Sequence, residues 1–567
     1  MNSFSPPIPS ATFKSILTLG LNLTVPIADR PHNHCTSNQT LTPSIFPYHP
    51  PRSITVRTDT LLRPFIILVL SLFTLRLLAT RLRHTLPLPP GPKGLPVIGN
   101  VREVRAKRDK PLWITYSDWA RTYGDVFTFK VFGSRTVVLN SYKAITELLD
   151  KKSHNYSDRP DMPMTIDLMR WDWNIGLMRY NDWWRLHRRT FHQFFQPRAL
   201  PEYYDIQTER TTLLMQKLAT SPQDFFQHIR NHSGGIILEI IYGYQLQAKN
   251  DPYIKLADDA WVGLKEAGNH GSFLVDYIPI LKHVPSCFPG ASFKTKAEVW
   301  GSFTDQLKDC PWAFLKQSME EGMAVPCFST RNLEKFKISC AESGQNSVME
   351  EVIKNCAAVS LTAGADTTVS AVLSFILAMV AYPDVQARAQ REINEVVGSR
   401  PPEFSERENL PYIEAILSET LRWNPVTPLA VPHRSVNDDV YDGYLIPGGS
   451  TVVANAWAVL HDESLYGPDT MRFNPDRFLS KEPGQKLPPS PEPIAFGFGR
   501  RICPGRHLAL NSIWLVMTYL LTSFTMAKEL DSDGKEVEPV IEYSDGLSSH
   551  PRPFQCRFIP RSRYLHA

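Results

Sequence analysis

The ten residues Phe496-Gly497-Phe498-Gly499-Arg500-Arg501-Ile502-Cys503-Pro504-Gly505 hold one sulfur among glycines and basic side chains. Glycine has no Cβ, so such a loop can approach a flat ligand closely. Cys503 stands directly before Pro504, a residue suited to opening a helix. Unpaired N–H groups and the positive end of a helix at that point favour a thiolate. Arg500 and Arg501 add charge that suits a thiolate or a carboxylate. A thiolate on haem iron pushes electron density onto the metal and favours O–O cleavage. The plainer alternative is a core cysteine beside a glycine-rich turn, the commonest fate of a lone Cys. Matching chemistry at ten positions weighs against it.

Three other groupings could carry or support chemistry. Ala363-Gly364-Ala365-Asp366-Thr367-Thr368 lies in an apolar stretch of helical length, where a glycine and an acid are poor choices unless something needs them. Thr367 can bond back to a carbonyl and bend the helix, and Asp366 with Thr367 could relay protons. Taken alone, an Asp–Thr pair on a helix is more commonly structural. Glu419 and Arg422 stand at i and i+3, a spacing that contributes only about 0.2–0.5 kcal/mol on a solvated face. In Trp183-Trp184-Arg185-Leu186-His187-Arg188-Arg189 the guanidinium groups suit carboxylates through paired hydrogen bonds. A solvated face is the alternative for this run. Arg185, Arg189 and Arg506 could also form a docking patch for an acidic electron donor.

The Cys503 loop resembles the haem-binding loop of the cytochrome P450 family, matching F-x-x-G-x-R-x-C-x-G at Phe496, Gly499, Arg501, Cys503 and Gly505. The resemblance runs from about Pro89 to Arg561. Ala363–Thr368 resembles the family's oxygen-activation motif, and Glu419-Thr420-Leu421-Arg422 resembles E-x-x-R. Phe473-Asn474-Pro475-Asp476-Arg477-Phe478 resembles the usual partner of that motif and supplies Arg477, while Trp184 and Arg188 give W-x-x-x-R. The resemblance implies haem b with Cys503 as its axial thiolate. It implies proton delivery by Asp366 and Thr367, and contacts from Trp184, Arg188, His433 and Arg501 to the haem propionates. Glu419, Arg422 and Arg477 would form a buried structural network behind the haem loop. In character the chain is closest to fungal members of the O-methylsterigmatocystin oxidoreductase type, which oxidise secondary metabolites and aromatics.

The implied activity is insertion of one atom of O2 into a small or medium hydrophobic substrate. No G-x-G-x-x-G follows an expected strand, and 64 residues after Cys503 leave no room for a fused flavin reductase. A separate NADPH-cytochrome P450 reductase in the membrane is therefore the implied partner, with cytochrome b5 as a second donor. Two alternatives stay open: a haem-thiolate isomerase or dehydratase that needs no reductase, and a non-catalytic membrane haem protein that senses gas or lipid.

These side chains need a scaffold, and the periodicity supplies a mainly α one with a small β portion. Ser347–Tyr382 is apolar on more than one face and reads as a long buried helix. Pro411–Trp423 and Pro504–Phe524 read as helices that open on proline. Alternation is confined to Val126–Leu139, Val440–Ile446, Ser450–Ala454 and Phe554–Ile559. The family fold, a helical prism enclosing haem, agrees with this. Pocket walls are expected from Pro163–Gly176, Leu429–Val431 and Gly546–Ser548, with Leu361 and Ala365 beside the haem. Asp167, Arg170 and Asp172 are the charged exceptions.

Ahead of residues 101–567, the expected catalytic domain, three segments differ in composition. Residues 1–60 are rich in Pro, Ser, Thr and Asn and read as a disordered, lumenal extension. Asn22 and Asn38 open glycosylation triplets within it. Residues 61–82 contain the 17-residue apolar run Pro64–Thr80, at the short limit for a membrane span. Residues 83–100 are proline-rich and read as a stiff spacer. The expectation is a single-pass anchor in the endoplasmic reticulum with the catalytic domain facing the cytosol. The eight cysteines form no C-x-x-C pair, which speaks against a zinc site or a disulfide framework. A net charge of +4 over 567 residues, with no basic block, gives no sign of nucleic-acid binding.

Overall fold

Apolar side chains fall on more than one face of Asn346–Ala381, so most of a helix there must be buried. In the computed structural model these residues form one 36-residue helix. The structure describes Ser71 and residues 86–105, 110–247, 250–339, 346–398, 400–480, 482 and 484–561. The expected extension with Asn22 and Asn38, and the expected anchor over 61–82 apart from Ser71, lie outside these residues.

Helices of twelve residues or more among them are α1 (Leu112–Tyr123), α2 (Asp182–Phe195), α3 (Tyr204–Thr220), α4 (Phe225–Tyr242), α5 (Pro252–Ala267) and α6 (Ser292–Glu320). They continue as α7 (Phe328–Ser339), α8 (Asn346–Ala381), α9 (Pro383–Val396), α10 (Pro411–Trp423) and α11 (Arg506–Ser523). The strands are β1 (Val126–Val131), β2 (Ser134–Leu139), β3 (His433–Arg434), β4 (Asp439–Tyr441), β5 (Tyr444–Ile446), β6 (Thr451–Ala454), β7 (Phe524–Leu530), β8 (Glu536–Val537) and β9 (Cys556–Pro560). They pair as β1-β2-β6-β3, β4-β5 and β8-β7-β9. The fold is mainly helical with a small sheet portion, as expected.

Two of the alternating stretches prove to be antiparallel hairpins, β1–β2 and β4–β5. Strand β7 follows α11 without a break, and its first residue, Phe524, reads in sequence as the end of that helix. Pairing with β9, Phe524 against Pro560 and Met526 against Phe558, decides the matter. The described part of the proline-rich stretch belongs to the body rather than standing clear of it. Pro90 O accepts from Thr128 N–H at 2.8 Å, and Pro87 O accepts from Leu445 N–H at 2.8 Å. Asn100 binds both Pro92 O and Lys130 N–H at 3.0 Å. β1 and β5 are edge strands with unpaired donors, and the carbonyls of this extended segment satisfy them.

Among the described residues, α8 is the one helix long and apolar enough to cross a bilayer, and it is packed inside the body. Its first half, through Leu361, joins a core with α2, α4, α5 and the segment Met164–Met178. Its second half, from Val369, joins a core with α9, α10, α11 and β7. Residues 362–368 fall between the two cores, and there the helix carries its unusual residues.

Candidate active site

Gly505 caps the start of α11, two residues after Cys503. The helix thus begins later than the Pro504 expected from sequence, because Pro504 and Gly505 form the turn into it. Cys503 N–H donates to Phe496 O at 2.8 Å, closing the loop. Gly499 has φ of +52°, and a Cβ on it would lie 2.4 Å from Leu149 O. Only glycine lets the loop seat there. From α2, Arg188 Nη1 donates to Ile502 O at 2.6 Å, next to the cysteine. Burial pushes the Cys503 thiol up, while the Gly505 N–H, Arg188 and Arg506 pull it down. A metal cation bound to the sulfur would ionise it.

Around this loop gather basic side chains from separate segments. Arg501 lies 4.6 Å from the Trp184 ring centre and donates to Ser157 O, Ile175 O and Met178 O at 2.6, 3.1 and 2.6 Å. Burial and the neighbouring Arg159 push it down to about 8. Arg159, buried and likewise pushed down by burial to about 9, donates to Gly176 O, Val431 O and Pro432 O, each at 2.8 Å. His433 Nδ1 lies 2.7 Å from Tyr156 O, and burial with Arg159 holds its ring neutral. The Asp158 carboxylate close by is already tied to Arg179 at 2.6 Å. The cluster is short of anions.

On α8 the expected back-bond is present: Thr367 Oγ1 donates to Ala363 O at 2.8 Å. Ala363 is exposed and Thr367 half-buried, an accessible stripe midway along the helix. A Cβ on Gly364 would lie 2.6 Å from Ile237 Cγ1, so close packing against α4 is what requires that glycine. Asp366 turns elsewhere. Its Oδ2 lies 2.8 Å from His550 Nε2 and accepts from Ser548 Oγ at 3.2 Å.

Glu419 and Arg422 have no exposed side-chain surface and meet through two bonds of 2.6 and 2.8 Å. Glu419 also accepts from Asn474 N–H at 2.7 Å and lies 3.6 Å from Arg477 Nε. Arg422 donates onward to Leu460 O and Thr470 O. A spacing that would count for little on a solvated face is thus fully buried.

Residues 89–558 match the Cytochrome P450 family profile. The chain belongs to the cytochrome P450 family. It is 43% identical over 488 residues to a cytochrome P450 monooxygenase of Armillaria gallica, covering 85% of this chain and 93% of the relative. Cytochrome P450 monooxygenase 208 of Postia placenta is 40% identical, with 84% and 91% covered. Tryptamine 4-monooxygenase of Psilocybe cyanescens is 38% identical, with 86% and 95% covered. This cytochrome P450 is a monooxygenase, and the family brings thiolate-ligated haem.

The residues present fit that group. Arg159, Arg188, Arg501 and His433 are buried or half-buried bases whose charge burial disfavours, and two propionates would supply the missing anions. Of the expected pocket segments, Met164, Met169, Trp171 and Trp173 are buried, as are Leu429, Ala430, Leu547 and Ser548. Two of the charged exceptions are turned to ion pairs, Asp167 with Lys282 at 2.7 Å and Arg170 with Glu298 and Asp305 at 2.6 and 2.5 Å, and Asp172 is exposed. Sequence reasoning missed Arg159 and His550, and placed Ser548 only in an expected pocket wall. Arg159 sits in Ser157-Asp158-Arg159-Pro160, which reads as a turn, and no spacing links His550 to α8.

Proposed function

We propose that this cytochrome P450 inserts one atom of O2 into a small or medium hydrophobic substrate, aromatic compounds foremost, using NADPH electrons from a separate membrane reductase. The observation that carries the reading is a single sulfur, on Cys503, held at the start of α11 beside buried, anion-seeking bases. Bound haem supplies the reductive cleavage of dioxygen and the transfer of one oxygen atom to carbon. Cys503 would hold its iron through the sulfur. Arg159, Arg188 and Arg501 would neutralise its propionates, and His433 with the Trp184 ring would help orient them. Thr367 Oγ1 holds a hydroxyl proton on the accessible stripe of α8, and Asp366 holds or releases one beside it in sequence. Glu419, Arg422 and Arg477 brace the loop from behind.

A relative named for acting on tryptamine supports an aromatic substrate. The exposed Arg189, with Arg185 and Arg506, offers an acidic reductase a basic face. Residues 61–82 would hold the enzyme to the endoplasmic reticulum, in keeping with the common membrane association of eukaryotic relatives.

Co-expression with a fungal NADPH-cytochrome P450 reductase, followed by a panel of indoles, other aromatics, steroids and terpenes, tests the reading. Products one oxygen atom heavier, formed only with NADPH, are expected. Product that forms equally well without NADPH or reductase would point to electron-free isomerisation and overturn it.

A further inference from the structure

The segment from Tyr543 to Pro551 closes on itself: Ser544 N–H donates to His550 O at 2.8 Å, and His550 N–H to Ser544 Oγ at 3.0 Å. It is pinned to the body at two further points. Ser549 N–H donates to Val426 O at 2.8 Å, and Ser370 Oγ on α8 donates to Ser549 O at 2.5 Å. So anchored, the buried His550 ring meets Asp366 across 184 residues of chain, Nε2 to Oδ2 at 2.8 Å. Ser548 Oγ donates to the same oxygen and accepts from Trp261 Nε1–H of α5 at 3.1 Å. A buried carboxylate is costly unless paired and bonded. Here α8, α5 and the C-terminal segment converge on one.

We propose that His550 is a positioning residue for oxygen activation, holding the Asp366 carboxylate by its Nε2–H and setting how readily that carboxylate takes up and returns a proton. The inference rests on the reading of Asp366 and Thr367 as the proton-delivering pair. When the ring is charged, its Nε2–H bond breaks as an Oδ2–H bond forms, leaving a neutral ring and a neutral acid. Asp366 returns to its carboxylate by giving that proton up toward Thr367, the ring recovers its own from solvent, and no electrons move. Other charged groups surround the couple. Asp258 and Lys265 on α5 feel the Asp366 charge, and Arg230 on α4 is tied to Asp258 at 2.6 Å. Asp545 on the same segment accepts from its own Gly546 N–H at 2.8 Å. Substituting His550 leaves all of these in place.

His550→Gln keeps a side-chain N–H but cannot titrate, whereas His550→Leu removes both. They are compared with Asp366→Asn and Thr367→Ala, each first shown to keep the red-shifted carbon monoxide band of thiolate-bound haem. In the resting protein, without reductase or NADPH, infrared difference spectra against Asp366→Asn identify the Asp366 carboxyl band. In His550→Leu the protonated form of that band is expected to persist to higher pH than in the parent. In turnover, product per NADPH should fall roughly tenfold in His550→Leu, with peroxide rising to match, a fraction of the ~10²–10⁴ that a positioned acid contributes. His550→Gln should restore product yet lose the parent's pH dependence of the peroxide-to-product ratio. The inference is overturned if Asp366→Asn uncouples while His550→Leu neither uncouples nor moves the band. Should His550→Leu fail to fold, an unchanged pH profile in His550→Gln overturns it instead. If Asp366→Asn and Thr367→Ala both remain coupled, the proton-delivery reading itself falls, and the inference with it.

Discussion

Glu419→Gln keeps the shape of a buried side chain and removes only its charge. The amide oxygen can still accept from Asn474 N–H, as Oε1 now does at 2.7 Å. Arg422 then loses the carboxylate it meets at 2.6 and 2.8 Å, and Arg477 loses the one 3.6 Å away. Neither Glu419 nor Arg422 has side-chain surface through which water could compensate. Removing one partner of such a pair costs about 3–5 kcal/mol. Carbonyls of Leu460 and Thr470 still accept from Arg422, which sets the expectation at the lower end, ~3 kcal/mol. Against a net stability of about 5–15 kcal/mol, that is a large share. The double substitution Glu419→Gln with Arg422→Met should cost less than the sum of the singles by about 2 kcal/mol, since it leaves one fewer unpaired charge. Urea unfolding followed by tryptophan fluorescence and haem absorbance gives both quantities, provided the slopes agree. A single-substitution cost below about 1 kcal/mol, or strict additivity in the double variant, would show that the network behaves like a surface pair.

Cys503→Ala should yield protein without the red-shifted carbon monoxide spectrum, and an unchanged spectrum would mean that another ligand holds the iron. Gly364→Ala places a Cβ 2.6 Å from Ile237 Cγ1 and should cost about 1–3 kcal/mol in thermal or urea unfolding; trimming Ile237 to Ala in the same protein should recover part of it. Asp276, buried, accepts N–H bonds from Met164 and Gly271 at 3.1 and 3.4 Å, and burial pushes its carboxyl up to about 7. Between its ordinary range near 3.8 and about 7, the folded chain keeps a proton that the unfolded chain has released. Stability from this group is therefore lost as pH rises through that window, by at most about 1.4 kcal/mol per pH unit. Asp276→Asn should flatten the dependence in urea midpoints taken from pH 5 to 8; an unaltered slope refutes the assignment.

What the sequence could determine was local. Ten consecutive residues around Cys503 carry their own chemistry, because a loop's glycines and its sulfur act through neighbours a few bonds away. The apolar residues of Asn346–Ala381 announce a largely buried helix, because at a 3.6-residue period they fall on more than one face. The charges of Glu419 and Arg422 were legible, but their worth was not, since burial rather than spacing separates a few tenths of a kcal/mol from several. Proline-rich residues up to Asn100 read as a stiff rod until edge strands with unpaired donors are seen beside them. Arg159 joins Arg501 only because two distant segments pack on the Cys503 loop. The direction of Asp366 was likewise decided by tertiary structure alone: helical geometry gives a residue its angle around the axis, and only packing of the C-terminal segment puts a histidine where that angle points.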